Sequence, residues 1–450
     1  MSPSTTPSGA VREVGIADIF FSVTDRKGVI KHANQLFVDF AKLDWQTLSG
    51  APHSIIRHPE MPAGVFYAMW SELLAGHPFA GHITNLAADG SAYSVYATVT
   101  PLGDDSYLSV RIRPMDEASA EFANGAYAKV AEYETELRQA GIGRRSAAEQ
   151  GANRLLALIS AAGHESVSAL QRHTLPREIA RLERRAAPIP ERPGATGEVG
   201  ELLTAVGAVN RALTSWTGEQ HRLATLSESL RRIGKELRSE LESASTGVAR
   251  LSQLACERVV PKELVEPLAV WTQMQELIGT YIDGLLRVLN ELDTNGMEHR
   301  FRVALAKLHT RMLAAFAAEI IDNPESETSG RQAAIALSQA LRLGLSAMIE
   351  QSHSHADLTA RSAATITRSV ELLAIPRELL LAWRHEIDSV ELPRSARRIA
   401  EQIADSANRL GAILTELRGI VDKCGEVGLG ADPAALRPLI ARVEAHTEAL

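Results

Sequence analysis

The residues best suited to chemistry lie close together, in the run Gly50-Ala51-Pro52-His53-Ser54-Ile55-Ile56-Arg57-His58-Pro59-Glu60-Met61-Pro62, which leads on to Ala68-Met69-Trp70. Arg57 carries a planar fork of donors that suits a phosphate oxygen or a ring carbonyl. His58 supplies an imidazole, a side chain able to exchange protons and to both donate and accept hydrogen bonds. Trp70 offers a flat apolar face to an aromatic ring. Asn34 stands upstream, after His32-Ala33, and Asn85 downstream, before Asp89-Gly90. A plainer arrangement uses the same residues: a turn between two helices in which Arg57 caps a carboxyl group and His58 is merely packed.

Elements able to position these side chains can be read from periodicity. Ile19-Phe20-Phe21-Ser22-Val23-Thr24 is rich in strand formers, and Asp25-Arg26-Lys27-Gly28 supplies a turn before Val29-Ile30, which together predict a hairpin. Short helical patterns follow. Then Tyr93, Val95, Ala97 and Val99 alternate along one strand and Leu108, Val110 and Ile112 along another. Strands, short helices and strands again predict an antiparallel sheet with helices on one face.

Aromatic residues mark the end of this region, since 12 of the 21 lie in residues 1–118. From Asp116 onward Ala, Leu, Glu and Arg dominate and the apolar period changes from two to about 3.5. Leu202, Val206, Val209, Leu213 and Trp216 form a seam that Leu223, Leu226, Leu230, Ile233 and Leu237 resume after Gln220, as expected of a helix–helix interface within or between chains. Helix breaks are expected at 187–194, around Pro261 and Pro267, at Asn323-Pro324, near Pro376 and Pro393, and at 428–433. The divisions predicted are a leader over 1–14, a sheet domain over 15–118, a helical linker over 119–186 and a helical bundle or coiled-coil output region over 198–450.

The ordered string from His32 to Trp70, continued by Gly76, Pro78, Gly81, Asn85, Asp89-Gly90, Tyr93, Pro101 and Ser109-Val110-Arg111-Ile112-Arg113, resembles the PAS domain of the aerotaxis-receptor family. That resemblance implies an α+β domain with a cupped five-stranded antiparallel sheet and short helices, holding FAD without a covalent bond. By position it implies that Arg57, His58 and Glu60 are needed for flavin, that Asn34 lines the cup, that Trp70 stands beside the site, and that Asn85 belongs to the cofactor-binding set. Glu60 replaces the family's usual Asp, Phe79 a Trp, and Ser94 and Tyr96 a Trp and an Arg. Leu86 and Ala87 occupy basic positions. These departures leave open a cofactor-free PAS module used for dimerisation or docking on a helical scaffold.

Other chemistries meet specific obstacles. Cys256 and Cys424 lie outside the PAS segment, so thiol-adduct photochemistry has no cysteine there. Haem is not expected: His53, His58, His77 and His82 are present, but none sits in a haem-specific motif. The helical region lacks a phosphate loop, a nucleophile elbow, a zinc helix and a paired-cysteine motif, so no enzyme is expected. His353 and His355 are two apart on a helix, point to different faces, and are expected to be solvated. The layout resembles a chemotaxis receptor without a membrane segment, though Arg300-Phe301-Arg302-Val303-Ala304-Leu305 does not match that family's signalling hairpin. The resemblance implies a homodimer and, as partner, a chemotaxis kinase, its adaptor or another signalling protein. A net charge of −8 offers no surplus for nucleic acid. With two cysteines, no signal-like N-terminus and no expected membrane span, the chain is read as cytoplasmic.

Overall fold

The computed structural model describes residues 6–103, 105–323, 327–388, 390–427 and 433–449. Strand β1 (Ile19–Asp25) turns back into β2 (Ile30–Ala33) through Gly28, whose φ of +75° suits a residue without Cβ. Helices α1 (Gln35–Ala41) and α2 (Trp45–Leu48), a 3-10 turn over His53–Ile56, and α3 (Ala63–Leu74) follow. Strands β3 (Phe79–Leu86), β4 (Ala92–Pro101) and β5 (Ser106–Ile112) complete a five-stranded sheet of order β2-β1-β5-β4-β3, antiparallel throughout.

Side chains alternate along each strand, and here both faces are covered. On the concave face, Phe20, Tyr93, Val95 and Ala97 join Phe37, Phe40, Leu48, Ile56 and Val65 in one core. Phe20 stacks on Phe40 with ring centroids 4.9 Å apart. Strands β1 and β5 are joined by a full antiparallel register, from Ile19 opposite Ile112 to Asp25 opposite Ser106. The other face presents Phe21, Val23, Leu108, Val110 and Ile112, all buried.

Helices α4 (Glu117–Gln139) and α5 (Arg144–Ala161) place Ala126, Val130, Leu155 and Ile159 in the concave-face core, so the segment expected as a linker over 119–186 shares the core of the sheet domain. Helix α6 (Val167–Arg185) follows. Four long helices come next: α7 (Gly197–Cys256), α8 (Pro267–Asp322), α9 (Glu327–Ile387) and α10 (Arg394–Val427), then a short α11 (Arg437–Glu448). Proline stops lie at Pro261, Pro267 and Pro393, but α9 runs on through Pro376. A proline there removes one helical hydrogen bond, yet Leu373 on one side and Leu380 and Trp383 on the other are anchored in buried clusters. The break expected at 428–433 lies mostly outside the described residues.

The chain forms two compact units. The first holds the sheet domain, α4–α6, residues 300–350 and the C-terminal segment. There the outer sheet face is covered by α6 and α8: Phe21 meets Phe316 edge-on at 5.0 Å, Tyr96 Oη lies 2.9 Å from Thr174 Oγ1, and Thr100 Oγ1 lies 3.3 Å from His309 Nε2. The second unit, Trp216–His299 with Gln351–Asp432, is a bundle in which Leu226, Leu230, Ile233 and Leu237 of the seam pack with Leu285, Leu289, Ile366, Val370, Leu414 and Leu417. The side chain of Leu223 lies outside the described residues. The region expected as a single output over 198–450 thus contributes to both units. Among the described residues, one helical stretch, Gln332–Ile387, is long and apolar enough to cross a membrane by length and composition alone. Its apolar window is 56% buried, and a helix packed on several sides is apolar nearly all round for that reason.

Candidate ligand-binding site

Between α3, the 3-10 turn and the concave face of β3, β4 and β5 lies a cavity of about 200 Å³. Trp70, Phe66 and Tyr107 supply aromatic walls, and Arg57, Arg111, His53 and Asn85 the polar ones. Trp70 is set edge-on to Tyr107 at 5.4 Å, and one edge of its indole closes on the turn at Gly28.

Arg57 leaves the 3-10 turn in extended conformation, bridges β3 at Asn85, and lays its guanidinium 3.5 Å above the Phe66 ring. Burial lowers its pKa, while Glu134 opposes that shift. Its Nε has no hydrogen-bond partner in the protein, and neither has Nδ2 of Asn85, a residue 3% exposed. Two buried donors on one cavity wall are therefore unspent, a costly arrangement unless something accepts from them.

Arg111 is 3% exposed and enters the cup from β5. It donates to Ser22 Oγ at 3.2 Å, to Ser109 O at 3.3 Å, and through Nη2 to His53 Nε2 at 2.5 Å. Burial lowers its pKa to about 10. Burial and the two neighbouring guanidiniums, Arg111 first, hold His53 well below the usual imidazole range, so its ring is neutral and its Nε2 accepts. Lys27 joins the two arginines in the lining, which contains no carboxylate. The site is cationic, with apolar and aromatic walls.

The structure gathers Arg57, Trp70 and Asn85 around the cavity and puts Asn34, His58 and Glu60 elsewhere. Asn34 is buried at the entry to α1, where Oδ1 accepts from Phe21 N at 3.1 Å and Nδ2 donates to Ile19 O at 3.4 Å. It fixes the start of β1 to α1. His58 is 7% exposed and packed in the turn before α3, its backbone N–H donating to Thr84 O and its Nδ1 accepting from Glu60 N at 3.3 Å. The Glu60 side chain is 88% exposed, with Oε2 3.9 Å from His58 Nδ1. Of the four histidines considered as haem ligands, His53 alone lines the cavity, with Nε2 engaged by Arg111.

The turn ends at Pro62, which has no side-chain acceptor with which to cap α3. Glu134 of α4 does so instead: its carboxylate accepts from Ala63 N at 2.8 Å and Gly64 N at 2.6 Å, a favourable place for an anion. The start of α4 is held in a similar way by α6, where Glu178 Oε2 accepts from Met115 N at 2.5 Å and Asp116 N at 3.2 Å. The Asp116 carboxylate is paired with Arg177 and Arg181.

Residues that sequence reasoning did not assign to the site are Arg111, Ser22, Tyr107 and Phe66. A signal for two of them existed, because Tyr107 and Arg111 fall on the face opposite the apolar Leu108, Val110 and Ile112. His355, expected to be solvated, is 8% exposed in the second unit, stacked 5.9 Å from His299 with Nδ1 2.8 Å from Asn295 Oδ1. Burial there lowers its pKa to about 4.

The cupped antiparallel sheet, its short helices on the concave face and the cavity beneath α3 define a PAS-type domain. More particularly, its sequence is similar to that of an aerotaxis receptor: the chain is 38% identical over 103 residues to the aerotaxis receptor of Escherichia coli (strain K12). The match covers 22% of this chain and 20% of that protein, so the chain spans about a fifth of the length of that relative. Two solved structures of RsLOV variants also match. One, a single-residue variant, does so at 15% identity over 32% of this chain and 90% of that one; the other, the d2 variant, at 17% over 33% and 92%; each has a TM-score of 0.21. No protein-family profile matches the chain.

Proposed function

We propose that the PAS domain binds a flavin, FAD in the first instance, in the cavity beneath α3, and that the chain relays the cofactor's redox state, and hence oxygen or redox conditions, to its helices. The observation that carries this reading is a cationic, aromatic-walled cup with two unspent buried donors, Arg57 Nε and Asn85 Nδ2. These groups fit a planar heteroaromatic ring with carbonyl oxygens: Asn85 and Arg57 donate, Trp70 and Phe66 provide apolar walls, and Arg57, Arg111 and Lys27 favour negative charge. A flavin, when bound, supplies a centre that exchanges electrons and protons. Arg111 and neutral His53 answer a change of charge in the cup through their shared hydrogen bond. Because β1 and β5 carry Ser22 and Arg111 on the cup side and Phe21 and Val110 on the other, a shift of these strands is felt by α8 at Phe316. Glu134 gives a second route, from the signature turn through the N-terminus of α3 to α4. Asn34, His58 and Glu60 serve the site by shaping the strand and turn that carry its contacts.

The role proposed is signalling without catalysis, in the cytosol, by a homodimer. Its partner would be a helical signalling protein such as a chemotaxis kinase or its adaptor, and nucleic acid is not a partner in this reading. Equilibrium dialysis of FAD against the full chain, Arg57→Ala and Asn85→Leu tests it. The expected result is one flavin per chain and a loss of at least ten-fold in affinity for each variant. Undiminished binding by both variants would overturn it.

A further inference from the structure

The first unit contains a second cavity, of about 260 Å³, on the far side of the β3 edge from the cup, closed by α4, α5 and α6. Its walls are mostly apolar, with Phe122, Ala123, Leu155, Ile159 and Leu170 prominent, and Phe79 borders both cavities. Apolar space of this kind packs poorly unless filled, and a cavity of roughly 150 Å³ is already enough to hold benzene.

The lining also holds polar side chains, Ser119, His164, His173 and Thr174 among them, and two such residues are deeply buried with unpaired atoms. His82 of β3 is 8% exposed and Gln171 of α6 is 3% exposed. Both ring nitrogens of His82 and Nε2 of Gln171 lack a hydrogen-bond partner. Glu178 Oε1 lies 3.5 Å from His82 Nε2 and is itself without a hydrogen bond. Burial lowers the His82 pKa to about 4, leaving a neutral ring with one N–H and one lone pair. Arg177, which also lines the cavity, is committed to Asp116 at 3.1 Å.

We propose that this cavity is a second ligand site, which takes a neutral one- or two-ring aromatic molecule bearing a single hydroxyl. The ring fills the apolar volume. The hydroxyl donates to the imidazole lone pair or accepts from its N–H, and accepts from the Gln171 amide, so one small group satisfies donors that the protein leaves unpaired. An anionic ligand is disfavoured, because Arg177, the guanidinium in the lining, is already paired with Asp116. The site lies where β3 meets the three helices after the sheet, so its occupant would stiffen that contact whether or not flavin fills the cup.

Titration of the full chain with 4-ethylphenol and, separately, ethylbenzene tests the proposal. The expected outcome is one 4-ethylphenol per chain, bound at least ten-fold more tightly than ethylbenzene, with ring-proton NOEs to the methyl groups of Ala123, Leu155 and Ile159. In Gln171→Leu the preference for the phenol should shrink to three-fold or less, and in Ala123→Leu, which fills the space, binding should be lost. The proposal is overturned if neither compound binds, if the parent protein binds both equally, or if the NOEs go only to cup methyls such as those of Ile83, Ala97 and Val99. Should either variant fail to fold, the ligand pair and the NOEs in the parent protein decide.

Discussion

Replacing Glu178 by Gln isolates the energetic cost of a buried carboxyl at the joint between sheet and helices. Burial raises the pKa of Glu178 from 4.5 to about 7, against the lowering effect of the Met115 and Asp116 amides. The folded state therefore holds this proton to higher pH than the unfolded chain does. The stability it contributes is fully present below pH 4.5 and is lost as pH rises through 7. A shift of roughly 2.5 units at 1.36 kcal/mol each gives about 3 kcal/mol as an upper bound. His82, facing it at 3.5 Å, has the opposite sign: its pKa is lowered from 6.5 to about 4, so its contribution is lost as pH falls through that range. The two trends oppose each other between about pH 4.5 and 6.5. Glutamine keeps the acceptor for both amides and cannot ionise. Glu178→Gln should then match the parent protein near pH 4.5 and exceed it by about 2–3 kcal/mol at pH 8. Urea unfolding of both proteins at a series of pH values measures the difference. Stability curves that stay parallel from pH 4.5 to 8, or a variant weaker than the parent at pH 8, would show that the buried Glu178 carboxyl carries no such cost.

Three further outcomes follow from the geometry. Arg111→Met removes the larger of the two neighbouring charges that hold His53 down, so the His53 pKa should rise in an NMR titration, and the cup should lose at least ten-fold in flavin affinity. Gly64→Ala would put a Cβ 2.5 Å from Ala152 N where α3 crosses α5, which should cost about 1–3 kcal/mol and lower the thermal midpoint. Phe316→Ala should leave flavin content unchanged while costing about 3–5 kcal/mol, and should weaken any redox-dependent change in hydrogen exchange along α8.

What could be read from the sequence was local. The hairpin, the alternating strands and the proline stops announce themselves over a few residues, and the signature run placed Arg57 and Trp70 beside a cavity because a turn and the helix after it are short-range structures. Alternation separates the two faces of a strand without saying which one holds a ligand. Leu108, Val110 and Ile112 stand out as the apolar face of β5, but they pack on the outer side, and Tyr107, Ser109 and Arg111 between them face the cup. A sheet covered on both faces gives no compositional clue to which side holds a ligand. Glu134 and Glu178 act 70 and 63 residues from the amides they hold, and no periodicity reports such partners. His355 looked solvated because its spacing from His353 argues only against a shared face; burial comes from His299 and Asn295 on another helix.

A flavin held in the Arg57–Arg111 cup would show itself in the visible absorption of the purified 450-residue chain, before and after dithionite, with the released cofactor identified by chromatography. The expected result is two bands, in the blue and near-ultraviolet, that bleach on reduction, with close to one FAD per chain and little in Arg57→Ala. A featureless spectrum that added flavin does not change would contradict it.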